Sequence, residues 1–110
     1  MENFVQEYQI YRFQLLMEMY QTSHSDIDYV SNIQELASNV GMNNKAFQAA
    51  HKFLYMHELI RMQPSMANGG GSNHQYRASI THRGLKAVEE AFKFPNKPTE
   101  FFPPYREMMR

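Results

Sequence analysis

Two short runs of helical periodicity, separated by a single glycine, constrain this chain more than any other feature. Ile33, Leu36, Ala37 and Val40 fall on one face of a helix of two to three turns, and Gly41 follows as a stop able to take positive φ. Ser31 is the N-cap expected for this helix, with Gln34 three residues on, as a capping box requires. Asn43 or Asn44 can cap a second helix that runs to about His57 and is lined on one side by Phe47, Ala50 and Leu54. A small Ala on the first helix and a Gly between the two allow their backbones to cross closely.

The flanks add a helix before this pair and a hairpin after it. From about Asn3 to Gln21 there is no Gly or Pro, and Phe4, Val5, Tyr8, Tyr11, Leu15, Leu16 and Met19 follow helical spacing. A second set, Ile10, Phe13, Met17 and Tyr20, repeats on a different side. One packed face cannot satisfy both sets. Either this helix is central in the monomer or its second side buries against another copy; the small core of a single domain favours a homodimer through the first helix, with the C-terminal tail as a further contact. Gln21 to Ser31 is polar and reads as a loop. After Glu58, Leu59 to Gln63 lead to Pro64 and to a polar stretch from Asn68 to Asn73 with three glycines, which cannot stay helical. Tyr76, Ala78 and Ile80 then alternate with Arg77 and Ser79, the period of a strand, so a β-hairpin with a long tip is expected. Thr81 can cap a last helix in which Leu85, Val88, Ala91 and Phe92 share a face and which ends before Pro95. The tail, residues 94–110, mixes four prolines with Phe94, Phe101, Phe102 and Tyr105; it reads as an extended strap whose aromatics need a surface to cover.

Composition bounds the class. A chain of 110 residues with 43% hydrophobic and 20% charged residues is expected to form one globular domain. No apolar run approaches the roughly 18 to 20 residues of a membrane span, and the start lacks the basic segment of a secretory signal, so no membrane partner and a cytoplasmic location are expected. The absence of cysteine excludes disulfides, thiolate-ligated zinc and thiol nucleophiles. Eleven basic and eleven acidic residues cancel overall but not locally. Up to Val40 there are six acids against Arg12 alone, whereas from Asn44 to Val88 there are six bases against Glu58 alone. The domain is therefore polarised, with one basic segment running from the second helix of the pair through the hairpin into the last helix.

Helix, helix, turn, helix, β-hairpin, helix is the order of the winged helix-turn-helix fold, and IQELASNVGMNNKAFQAAHKFLYMHELI resembles its signature. Leu36, Ala37, Val40, Gly41 and Met42 fill the family's places in order, Phe47, Ala50 and Leu54 follow at the family's intervals, and ITHRGLKAVEEA begins the last helix directly after the second wing strand. The resemblance covers about residues 1–93, with the helix-turn-helix at about 31–58 and the wing at about 59–80. It implies a mainly α fold with a small β-hairpin (α-α-α-β-β-α), and it is closest to small prokaryotic regulators of the MarR-like or PadR-like kind, without separating the two. Winged helices usually carry Leu where His51 stands and Gly where Glu58 stands. His51 is read as an imidazole at the core edge with a hydrogen-bond partner, and Glu58 as a residue that prolongs the helix.

On a wheel of about 100° per residue with Phe47 inward, Ala50, His51 and Leu54 face in, while Lys45, Gln48, Lys52 and Tyr55 cluster opposite. Lys suits phosphate or guanine and Gln suits adenine, and Asn43 and Asn44 stand at the positive end of the helix dipole. The expected function is a DNA-binding transcriptional regulator with double-stranded DNA as partner, the helix over 44–57 in the major groove and the wing over 62–78 on the flanking backbone. Asn73, His74 and Arg77 join the contact residues through the wing, although its tip carries no Arg or Lys. Gly69 to Gly71 is not a phosphate loop, since no Gly-Lys-Ser/Thr follows. The alternative is a winged-helix protein-interaction module without DNA binding, suggested by zero net charge, the broadly apolar first helix and the aromatic tail. An enzyme is not expected, and neither is a cofactor or metal. The five histidines show no HExxH and no ligand spacing, there is no serine elbow, and the nine methionines suit core and dimer surfaces.

Overall fold

The computed structural model describes residues 2–63 and 76–108, with side chains from residue 5 onward. Its elements run in the order α1 (Glu2–Ser23), β1 (Ser31–Asn32), α2 (Ile33–Asn39), α3 (Asn44–Met56), β2 (Ile60–Met62), β3 (Arg77–Ile80), α4 (His82–Lys93) and α5 (Tyr105–Met108). The molecule is mainly helical, with one small antiparallel sheet in the order β1-β3-β2. Among the described residues no helix is long and apolar enough to cross a membrane.

α1 is the central helix. Phe13, Leu15, Leu16 and Met19 are buried, and at about 100° per residue these four positions span roughly 160° of its circumference. It packs against α2, α3, α4 and β3. Its second apolar side is closed by the tail of the same chain: the Phe13 ring meets Phe102 at 5.1 Å and Tyr105 at 5.7 Å, both edge-on. Of the two solutions that the doubly apolar helix permits, the structure thus takes the central one at Phe13, which removes the ground for a dimer at that position.

Helix ends follow local chemistry, with two corrections. The N-cap of α2 is Asn32, whose side chain accepts from the Glu35 amide, and not Ser31, which β1 takes for pairing with Ala78. Asn43 caps α3 by accepting from the Ala46 amide at 2.8 Å, and Thr81 caps α4 by accepting from the Gly84 amide at 3.0 Å. Gly41 adopts φ +81° as expected. Glu58 does not prolong α3. It lies at φ +61°, with its amide donating to Tyr55 O and the Leu59 amide to Leu54 O, the paired bonds of a Schellman stop.

β2 and β3 form the expected hairpin, with Ile60 opposite Ile80 and Met62 opposite Ala78. Its tip, including Asn73 and His74, lies outside the described residues. β1, too short to show a period, joins the far side of β3 and makes β3 the centre of the sheet. The buried face of α4 is Gly84, Ala87, Val88 and Ala91; Leu85 is half-buried and Phe92 exposed, so the helix is rotated from the expected face of Leu85, Val88, Ala91 and Phe92. The strap is not extended as expected: turns, closed by Lys97 N donating to Phe94 O around Pro95 and by Thr99 N donating to Phe102 O, fold it back before the short helix α5, where Met108 is buried. Thr99 forms its turn, Oγ1 accepting from the Phe101 and Phe102 amides.

Candidate nucleic-acid interface

α3 presents one side to the core and another to solvent. Ala46, Phe47, Ala50, His51 and Leu54 are buried. Asn43, Asn44, Lys45, Lys52 and Tyr55 are exposed, and no acidic residue stands in the first turn. The phase of this division is set by the Asn43 cap and by Phe47, whose ring packs into the core at 2% exposure. Between α2 and the first turn of α3 an open depression of about 330 Å³ is lined by Gln34, Ser38, Asn43 and Asn44 among others, polar groups within reach of anything that lies across the two helices.

Gln48 differs from its neighbours on the outward side. It is half-buried, and its Nε2 donates to the Tyr76 hydroxyl at 3.1 Å. Tyr76 in turn stands edge-on to Phe47 and to His51, both at 5.1 Å between ring centroids. His51 stacks on Phe47 at 4.6 Å, and its Nδ1 lies 3.0 Å from Phe47 O. A carbonyl only accepts, so Nδ1 carries the proton and donates. Burial pushes the His51 imidazole below its usual value of 6.5, with Lys52 adding to this and the bond to Phe47 opposing it. This ring cluster ties α3 to the start of β3 and fixes the angle between helix and hairpin.

The sheet contributes cations on its other face. Arg77 and Arg61 are exposed, and the register places them with Gln63 and Ser79 on the face opposite Ala78 and Ile80; Gln63 Nε2 donates to Ser79 Oγ at 3.2 Å. Of the residues expected to contact DNA, α3 therefore gathers Asn43, Asn44, Lys45, Lys52 and Tyr55 as an exposed group, with Gln48 engaged by Tyr76, and Arg77 stands on the sheet. Two cations escaped the sequence reading. Arg61 could have been found, because it alternates with Ile60 and Met62. Arg12, stacked over the Phe53 ring at 4.1 Å, could not, since nothing local in α1 signals a partner on α3.

Among the described residues no three His, Asp or Glu side chains come together as a metal site needs. Comparison with protein-family models, curated proteins and solved structures finds no match.

Proposed function

We propose that this chain is a winged helix-turn-helix regulator that binds double-stranded DNA, with α3 in the major groove and the β2–β3 hairpin as the wing on the flanking backbone. One observation carries the reading: the exposed side of α3 offers Asn44, Lys45, Lys52 and Tyr55 with no carboxylate among them, at a helix whose N-terminal turn is open and capped by Asn43. Lys45 and Lys52 suit phosphates, Asn44 and Tyr55 suit base edges or sugar, and Gln48 is held by Tyr76 where it would orient rather than read. The order of elements and the Gly41 turn agree with this fold. Operators built of two half-sites require a dimer. With Phe13 covered by the strap, the exposed Phe92 and Phe94 are apolar surface left for one.

A second reading, a protein-interaction module, draws on Met56, which is 70% exposed at the end of the same helix. One experiment separates the two. Fluorescence anisotropy of a labelled random duplex, titrated at several salt concentrations, should show binding whose logarithm falls linearly with the logarithm of salt. Lys45→Glu with Lys52→Glu should weaken it by about tenfold or more while leaving the far-UV spectrum and melting unchanged, because both side chains are exposed. No binding at low salt, or equal binding by the double variant, would overturn the DNA reading in favour of a protein partner.

A further inference from the structure

An open hollow of about 210 Å³ lies between α4 and the strap, with Arg83, Lys86, Ala87 and Glu90 on the helix side and Glu100 and Phe101 on the other. That is below the range of drug-sized ligand sites and admits a molecule of about ten non-hydrogen atoms. Two of its charges are engaged with each other: Arg83 Nη2 lies 3.6 Å from Glu100 Oε2, and the same guanidinium stands 5.3 Å from the Phe101 ring centroid. Lys86 and Glu90 are not. Among the described residues neither side chain has an ion pair or a hydrogen bond, although the two stand one turn apart on the same face of α4.

Lysine before glutamate is the weaker of the two arrangements at this spacing. The charges also run against the helix dipole: Arg83 is a cation in the first turn of α4 and Glu90 a carboxylate in its last, and no acid stands in the first turn to offset them. Local helix stability therefore gives no reason for this order, whereas a ligand with an anion at one end and a cation at the other does. Its anionic end faces Lys86 and Arg83, its cationic end faces Glu90 and Glu100, and both the side chains and the helix dipole favour that direction. A lone anion would be drawn to Lys86 and repelled by the two carboxylates; a lone amine would meet the converse. Between the charged groups, buried Ala87 and the half-buried Phe101 ring form an apolar floor.

We propose that this hollow binds a small aliphatic α-amino acid as its zwitterion, the carboxylate on Lys86, the ammonium on Glu90 and the side chain on Ala87 and Phe101. The test uses the full chain without DNA, so its outcome is independent of the DNA reading. L-Leucine is titrated at low salt and followed by methyl NMR at Ala87. Isocaproate, the same skeleton without the ammonium, and isoamylamine, the same skeleton without the carboxylate, are the controls. A shift at Ala87 with Kd between about 1 and 10 mM is expected for a ligand of this size on exposed, screened charges. Each control should bind about fivefold more weakly, since it loses one exposed charge pair. Lys86 and Glu90 are exposed, so variants at either should fold. Glu90→Gln should abolish the preference for leucine over isocaproate, and Lys86→Gln the preference over isoamylamine. No shift at Ala87 at about 50 mM leucine, equal affinity for leucine and either control, or preferences that persist in the two variants would each overturn the proposal.

Discussion

Glu58 occupies a backbone conformation that costs a residue with a Cβ about 1–2 kcal/mol, because its side chain crowds the following carbonyl. The Schellman bonds around it, from the amides of Glu58 and Leu59, require that conformation, and the buried pair Leu54 and Leu59 supplies the apolar contact that accompanies such stops. Glycine would relieve the strain and lose part of the gain to unfolded-state entropy. Glu58→Gly is therefore expected to stabilise the protein by about 1 kcal/mol, seen as a melting midpoint raised by about 4 °C or more. His51 gives a second prediction at this scale. Its pKa is lowered on folding by burial, so between that value and 6.5 the unfolded chain binds the proton more strongly, and stability falls as pH drops below about 6.5. His51→Leu should flatten that part of the profile. Urea midpoints from pH 7.5 down to 5 check it, and equal slopes in both proteins would contradict the assignment.

Among elements, α3, the hairpin and α4 meet at Thr81 and Gly84. Thr81 holds all three: its hydroxyl donates to Glu58 O at 2.7 Å and accepts from the Gly84 amide, and its own amide donates to Leu59 O. Gly84 lets α4 approach this point. A Cβ there would overlap the Leu59 carbonyl oxygen and lie 2.8 Å from Ile80 Cγ1. Alanine at an open helical site would contribute about 1 kcal/mol over glycine. Here the overlap is with backbone that Thr81 has already fixed, so the steric cost exceeds that gain, and Gly84→Ala should destabilise by about 2 kcal/mol or more in urea unfolding. A stabilised variant would show that α4 can slide away from β2 freely.

At the scale of the whole molecule the strap closes the fold. Phe102 is buried against Phe13, Phe101 stands edge-on to His57 at 5.4 Å, and Arg83 pairs with Glu100 at 3.6 Å. The ion pair is largely exposed and contributes little beside the aromatic contacts. Phe102→Ala should cost about 3 kcal/mol, within the usual range for a buried Phe, and should leave the second side of α1 uncovered. Light scattering on that variant reads the consequence: an increase in mass over the parent protein would show that the side closed by the strap is otherwise self-associating.

Much of this arrangement was legible in the residues. The helix over Ile33–Asn39, the Gly41 turn, the Asn43 and Thr81 caps, the alternation of the hairpin and the outward set on α3 all depend on atoms within about one turn of each other, where spacing and hydrogen-bonding chemistry suffice. The α2 cap was misplaced by one residue because Ser31 is claimed by β3, a strand far along the chain. Glu58 was misread because the left-handed stop it occupies, closed by the bonds to Tyr55 O and Leu54 O, is usually a glycine's, and a Glu reads as helix. Neither β1, the Arg12–Phe53 stack, the Gln48–Tyr76 bond nor the cover of Phe13 by Phe102 has a local signal. Each joins groups well separated in sequence, so its energy is realised only after the core around α1 has brought them together. The phase of α3 and the Gly41 turn were thus decided by the sequence alone; the face that α4 buries, and which side of α1 is covered and by what, were decided only by tertiary packing.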